Sequence, residues 1–288
     1  MIKTFSDCRE MFRRRYIENI TLSKPSINMV FGTAFHLSVE AFWKGKDYKS
    51  AYDIGLAHLD SLDITALTVR EQGKYNELIN TLPDMLEVYY KAHDKDEIKA
   101  AELIEYEWIH YDYLPFVHLC GKIDRYMKNG VLTDLKTASE IGAEWKKKYK
   151  AEKLRDCGLS LYDWFLDTGI MSGIKDYTPK QIAMEVLIKP YKDKPPRLEL
   201  IELNEIIQYR DRFKQQLNWV VKEMVHYMRT YPKVKPWPMN YGPMCMTKYG
   251  ECDYLPLCNY GTIPKIMNKY KQREEHLNVR REASKISS

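Results

Sequence analysis

The sequence predicts an α/β fold: a central mixed β-sheet flanked by helices, with an N-terminal helical region. Three observations lead there. Apolar residues recur at helical spacing through about residues 5–100, alternation with a period of two begins at Glu102, and helical spacing resumes between and after the strands. The chain has 288 residues and is 44% hydrophobic, enough apolar material for one large domain or two small ones.

In the first region Phe31, Phe35, Val39 and Phe42 mark one helical face, and Gly45 stands where that helix should stop. Further helical turns fill 48–94. From Glu102, Ile104, Tyr106 and Trp108 share one side of a strand and Glu105 and Glu107 the other, with two more strands at 116–127 and 131–137. A lysine-rich stretch, Trp145 to Lys150, precedes a helix carrying Leu159, Tyr162, Trp164 and Phe165; Gln181 to Lys189 returns to strand. Asn204 should cap a long helix with Ile206, Phe213, Leu217, Val220, Val221, Met224 and Met228 on its apolar face, ending before Pro232. A Pro/Gly-rich loop at 236–243 then delivers three cysteines, and residues 265–288 read as a frayed helix or tail.

Charge and composition narrow the function. The formal charge is +5, and seven basic against three acidic residues in 265–288 carry +4 of it, so only local basic clusters can argue for nucleic acid. The apolar run Ile182 to Ile188 is interrupted by Glu185, and charges enter by Lys3; neither a membrane span nor a secretory signal is expected. Six cysteines without a leader point to a reducing compartment, with cytoplasmic location as the expectation, the host cytoplasm if the chain is phage-encoded.

The most informative stretch runs from Gly121 through Asp124, Gly130, Asp134 and Lys136 to Thr137. Alternation places Asp134 and Lys136 on one side of a strand and Leu135 on the other. The turn decides whether Asp124 joins them. A two-residue Asn129-Gly130 loop would pair Asp124 with Leu135, whereas a three-residue Lys128-Asn129-Gly130 loop with Gly130 left-handed pairs it with Asp134; the longer loop is the expectation. Two facing carboxylates need a cation between them, and Mg²⁺ or Mn²⁺ suits oxygen ligands. Lys136 could then orient or deprotonate a water. The competing reading is a surface hairpin of solvated charges.

These residues resemble the PD-(D/E)xK nucleases, in particular the RecB-like branch that includes AddB nuclease domains, CRISPR adaptation nucleases and phage exonucleases. In that pattern G-x-x-D is followed by (D/E)-x-K, matched by Gly121, Asp124, Asp134 and Lys136. An upstream G-x-x-x-H is matched by Gly32 and His36, with Glu40 one turn on as a residue that could orient the imidazole. The resemblance implies a restriction-endonuclease-like core in which His36, Asp124, Asp134 and the Leu135 carbonyl hold metal. Asp124, Asp134 and Lys136 are then the catalytic group. The family's Q-x-x-x-Y motif aligns with Asp156 to Tyr162, but Gly158 stands at the glutamine position; Tyr162 is the DNA-facing candidate that remains.

Cys245, Cys252 and Cys258 leave a tetrahedral site one ligand short. The segment around Cys8 resembles the one that supplies the first cysteine in RecB-like nucleases with a 4Fe-4S cluster, which implies a structural cluster on Cys8, Cys245, Cys252 and Cys258; a Zn²⁺ site is the alternative. Cys120 and Cys157 read as small buried hydrophobes. Arg9, Arg13, Arg14 and Arg15, and likewise Lys146, Lys147, Lys148 and Lys150, either line a phosphate track or are solvated faces; Arg13, Arg14, Lys147 and Lys148 are taken as DNA-binding candidates.

The organisation expected is 1–100 for the helical region with Cys8 and His36, 101–231 for the nuclease core, 232–264 for the cysteine loop and 265–288 for the tail. The functional expectation is a metal-dependent DNA nuclease, an exonuclease of phage-type recombination or DNA processing, with DNA and a recombination or single-strand-annealing protein as partners. A catalytically silent DNA-binding subunit and a zinc-stapled interaction module are the rivals.

Overall fold

In the computed structural model the described residues are all except 25, 94, 116, 140–143, 155–156, 170–176, 232–234, 240–244, 248–249 and 273–288. The elements run, in chain order, α1 (Ile2–Asp7), α2 (Arg9–Phe12) continued by a π-turn over Arg13–Ile17, β1 (Ile20–Leu22), α3 (Ile27–Trp43), α4 (Tyr48–Asp60), α5 (Val69–Ala92) and α6 (Lys95–Ala100). The sheet strands and their crossover helices follow: β2 (Ala101–Leu114), β3 (Val117–Met127), β4 (Val131–Ala138), α7 (Trp145–Lys153), α8 (Cys157–Asp167), β5 (Gln181–Ile188) and β6 (Arg197–Glu202). Next come α9 (Glu205–Gln208), α10 (Arg210–Thr230), β7 (Met246–Thr247), β8 (Gly250–Glu251), α11 (Leu255–Tyr260), α12 (Pro264–Met267) and β9 (Tyr270–Gln272).

Two compact units result. One spans Ser26–Asp211; the other joins both ends of the chain, Met1–Pro25 with Arg212–Ser288. Cys8 and His36, expected in one N-terminal region, therefore lie in different units.

The Ser26–Asp211 unit contains the expected mixed sheet, in the order β2-β3-β4-β5-β6. Only β4 and β5 pair in parallel, which requires a crossover, and α7 and α8 lie within it. Strand β5 is buried at every position after Gln181, as expected of a central strand covered on both faces. Helices α3 and α5 bury Phe31, Phe35, Val39, Leu82, Met85 and Leu86 in one core with Leu135 and Leu187 of the sheet. Helix α8 stacks Phe165 on Trp108 with ring centroids 4.0 Å apart.

Several expectations change in detail. Strand β6 was not foreseen; its Leu198, Glu199, Leu200 and Ile201 lack clean alternation because the strand sits at the sheet edge. Asn204 does not cap a single long helix. Its Oδ1 accepts from the Ile182 amide at 2.9 Å, and a break at Tyr209 divides α9 from α10. Of Ile104 and Trp108, expected on one side of β2, Ile104 packs against the α3–α5 core while Trp108 stacks on Phe165 of α8, and between them Glu105 has φ +47°.

In the second unit the chain ends meet directly: β1 pairs antiparallel with β9, Ile20 opposite Gln272. Phe5, Phe12, Met224 and Trp237 form one apolar cluster, and Ile20, Tyr254, Leu257, Ile266 and Tyr270 another. Residues 264–272 are thus helix and strand, not tail; 273–288 lie outside the described residues. No described helix is long and apolar enough to cross a membrane.

Candidate active site

The site begins at the turn between β3 and β4. Arg125 pairs with Thr133 and Tyr126 with Leu132, so the loop is Lys128-Asn129-Gly130, the three-residue form. Gly130 takes φ +89°, a conformation that costs glycine little, and its amide donates to the Met127 carbonyl at 2.8 Å. The register carries Asp124 opposite Asp134, one step past the last paired residues, where β3 and β4 part.

That parting leaves the Leu135 amide without a partner on β3, and the Asp124 carboxylate takes its place, accepting at 2.9 Å. One carboxylate is thereby locked by backbone at the mouth of the opening. Lys136 closes the other side: its ammonium donates to Asp134 at 2.9 Å and to the Leu135 carbonyl at 3.0 Å, and lies 3.8 Å from Asp124.

Burial pushes the Asp134 carboxyl up to about 6; Lys136 opposes the rise and Asp124 adds to it. For Lys136 burial works downward, but Asp134 and Asp124 outweigh it and hold the ammonium well above its ordinary range. Tyr162 of α8 lies within electrostatic reach of Lys136.

Helix α3 contributes His36. Its Nδ1 is 3.3 Å from Glu105 Oε1 and 4.0 Å from Asp124 Oδ2. Burial would lower the imidazole pKa; the hydrogen bond with Glu105 and the charge of Asp124 override it, and the net shift is upward. His36, Glu105 and Asp124 each present a ligand atom, all within 4.8 Å of one another, the spacing of a divalent-cation site.

Glu105 was missed as a site residue, because alternation only set it with Glu107 on the side opposite Ile104, Tyr106 and Trp108. The signal was present in the β2–β3 register, which puts it opposite Asp124. Its positive φ is a backbone cost on the order of 1–3 kcal/mol. Glu40 does not orient His36; it pairs with Lys44, and Glu105 takes that place. Lys122 approaches Glu105 at 2.6 Å and helps offset the clustered carboxylates.

Gly121 serves packing. A Cβ there would fall 2.8–3.0 Å from ring atoms of Trp108, so the glycine seats the indole that stacks on α8.

A model of the PD-(D/E)XK nuclease superfamily matches residues 1–259. The chain belongs to that superfamily. Among solved structures, one from Eubacterium rectale, provisionally described as an exonuclease, is similar at 12% identity and a TM-score of 0.48, covering 93% of this chain and 91% of that one. No curated protein matches the chain.

Cys8 sits in extended backbone between α1 and α2. Cys245 and Cys252 flank the β7–β8 hairpin, the Cys252 amide donating to the Cys245 carbonyl at 2.9 Å, so the six-residue gap closes on itself. Cys258 lies on α11. Cys252 is within electrostatic reach of Cys8 and Cys245, and Cys258 of Cys8 and Cys252; burial raises both thiol pKa values, that of Cys258 to about 11. Cys120 and Cys157, expected buried, are half-buried.

The basic clusters separate. Arg13 and Arg14, expected on a phosphate track, are 0% and 5% exposed and pair with Glu10 and Glu18; Glu10 also accepts from the Trp237 amide at 2.8 Å. Their charge is neutralised inside the unit, since an unpaired buried guanidinium would be costly. Lys147 and Lys148 are exposed on α7, where Lys146, Lys147 and Lys150 line a cleft of about 650 Å³ against Leu200, Ile201 and Glu202 of β6.

Proposed function

We propose that the chain is a metal-dependent DNA nuclease, an exonuclease of phage-type recombination or DNA processing. The observation that carries this reading is the convergence of Asp124, Asp134, Lys136 and His36 at the point where β3 and β4 separate. The donor set fits Mg²⁺ or Mn²⁺: His36, Glu105 and Asp124 present ligand atoms within 4.8 Å of one another, and the Asp134 carboxylate and Leu135 carbonyl meet beside Asp124 at the Lys136 ammonium. A bound divalent ion supplies charge stabilisation at a scissile phosphate and a more acidic water.

The chain's own groups do the positioning. Asp124 is fixed by the Leu135 amide, His36 by Glu105, and Lys136 by Asp134. Lys136, whose ammonium donates to Asp134 and to the Leu135 carbonyl, is the group that would orient the attacking water and offset charge. Tyr162, Lys147 and Lys148 would contact DNA, which the exposure of the two lysines supports; Arg13 and Arg14, paired with Glu10 and Glu18, would not.

For the cysteines we favour a structural 4Fe-4S cluster on Cys8, Cys245, Cys252 and Cys258. All four are half-buried in one unit, and Cys252 and Cys258 each lie within electrostatic reach of Cys8, the grouping that a metal group binding them as thiolates requires. Zinc is the alternative donor match.

The test is digestion of end-labelled linear and circular DNA with Mn²⁺. Cleavage of the linear form should fall at least roughly 100-fold in Asp134→Ala and Lys136→Ala while DNA affinity persists. A wild-type protein that binds DNA and cleaves none of it would instead be the silent subunit.

A further inference from the structure

Beyond the hairpin, a half-buried cation at the end of β5 lies without a carboxylate within ion-pair distance among the described residues. Lys189 follows β5 and is anchored by its own amide, which donates to the Ala138 carbonyl at 2.8 Å just past the end of β4. Its ammonium lies 4.6 Å from the centroid of the fully buried Phe31 ring and 3.3 Å from the Asn28 side-chain oxygen. A second lysine, Lys74 of α5, is close enough to repel it; burial first and then Lys74 bring the Lys189 pKa down to about 8, with Glu77 opposing weakly. Lys74 is itself exposed and has no ion pair among the described residues.

The position of this ammonium follows from helix geometry. Asn28, Gly32, His36 and Glu40 recur every four residues and so share one face of α3. Gly32 lies over Thr137, since a Cβ there would come 4.0 Å from its hydroxyl; the missing side chain keeps the strip between His36 and Asn28 low. Eight residues of helix separate Asn28 from His36 by roughly 12 Å, the length of about three to four stacked nucleotides on one strand.

From this arrangement we infer that Lys189, with Asn28 and Lys74, forms a phosphate subsite that grips the substrate strand a few nucleotides from the scissile linkage. The inference rests on the nuclease reading above and adds to it a second anchor. A phosphate oxygen would give Lys189 the anionic partner it lacks, and Asn28, exposed at the first turn of α3, would donate its amide to the same group. An internal phosphodiester and a terminal phosphate share this chemistry.

The experiment measures binding of labelled single-stranded oligonucleotides to the full chain in EDTA across a salt series. Lys189→Met should weaken binding roughly three- to tenfold and lower the slope of log affinity against log salt by about 0.7, the contribution of one phosphate, with Lys189→Arg near wild type. Lys74→Met, a surface change that folding should tolerate, should reduce the slope less. Oligonucleotides with one neutral methylphosphonate linkage should erase the difference between wild type and Lys189→Met if the contact is internal; removal of the terminal phosphate should erase it if the contact is terminal. A wild-type slope retained in both Met variants, with DNA still cleaved, overturns the subsite alone. A wild-type protein whose DNA binding ignores salt and which cleaves nothing overturns the nuclease reading and the subsite together.

Discussion

At the residue scale the site is a balance of charge at close range. Asp124, Asp134 and Glu105 converge, and His36, Lys122 and Lys136 offset them. A divalent ion entering this cluster must compete with protons: His36 is held protonated above its ordinary range, and Asp134 takes a proton near 6. Mn²⁺ affinity should therefore rise with pH through about 6 as Asp134 ionises, and keep rising above the ordinary imidazole range until His36 is deprotonated, with proton release on binding. Calorimetry in two buffers of different ionisation enthalpy measures that release. An affinity constant over roughly pH 5.5 to 8 would refute it. Glu105 belongs to this scale too, because a single residue with positive φ inside a strand aims its carboxylate at the imidazole of α3.

At the element scale, two devices hold the strand that carries Asp124. On one side Gly121 admits Trp108, which stacks on α8. Gly121→Ala should cost about 1–3 kcal/mol by overpacking, seen as a lower melting temperature; an unchanged melt would mean the indole moves freely. The second device is a buried polar network. Arg125, next to Asp124, pairs with Glu185 of β5 and donates to the Tyr89 hydroxyl of α5 at 2.7 Å, while its guanidinium lies 4.2 Å from the Trp43 ring centroid. Burial would raise the Glu185 carboxyl, but His93 and Arg125 bring it down to about 2. Its contribution is complete above the ordinary carboxylate range and is lost as pH falls toward 2. Glu185→Gln should destabilise the fold by about 3–5 kcal/mol at neutral pH, because Arg125 is left buried without its counter-charge. The wild-type advantage in chemical denaturation should shrink as the pH drops below about 4; a gap independent of pH would contradict the pairing.

At the scale of the whole chain, the Met1–Pro25 segment folds with residues after Arg212, so one unit is closed only when both ends have been made. Cys8 and Cys258 are 250 positions apart in sequence yet feel each other's charge. A cluster held by them would join the two ends of the chain covalently through metal. Purified without oxygen, the protein should be coloured and carry about four irons per chain; Cys252→Ser should lose both and lower the stability of this unit. Colourless protein containing zinc would replace the cluster by a four-thiolate site.

Much of this was legible along the chain. Period-two alternation located β2, the segments at 116–127 and 131–137 gave β3 and β4, and an apolar run gave β5; Gly130 selected the three-residue turn, and that turn set Asp124 against Asp134 because strand side chains alternate sides one by one. Local geometry was sufficient there, since each step depends on neighbours in sequence. Contacts between distant segments were not readable in that way. Whether Arg13 and Arg14 face DNA or Glu10, whether Glu105 or Glu40 meets His36, and whether Asn204 caps a helix or holds β5 all depend on which partner packing brings near. A charged side chain has several chemically adequate partners in a chain of this composition, and only the folded arrangement of elements chooses among them.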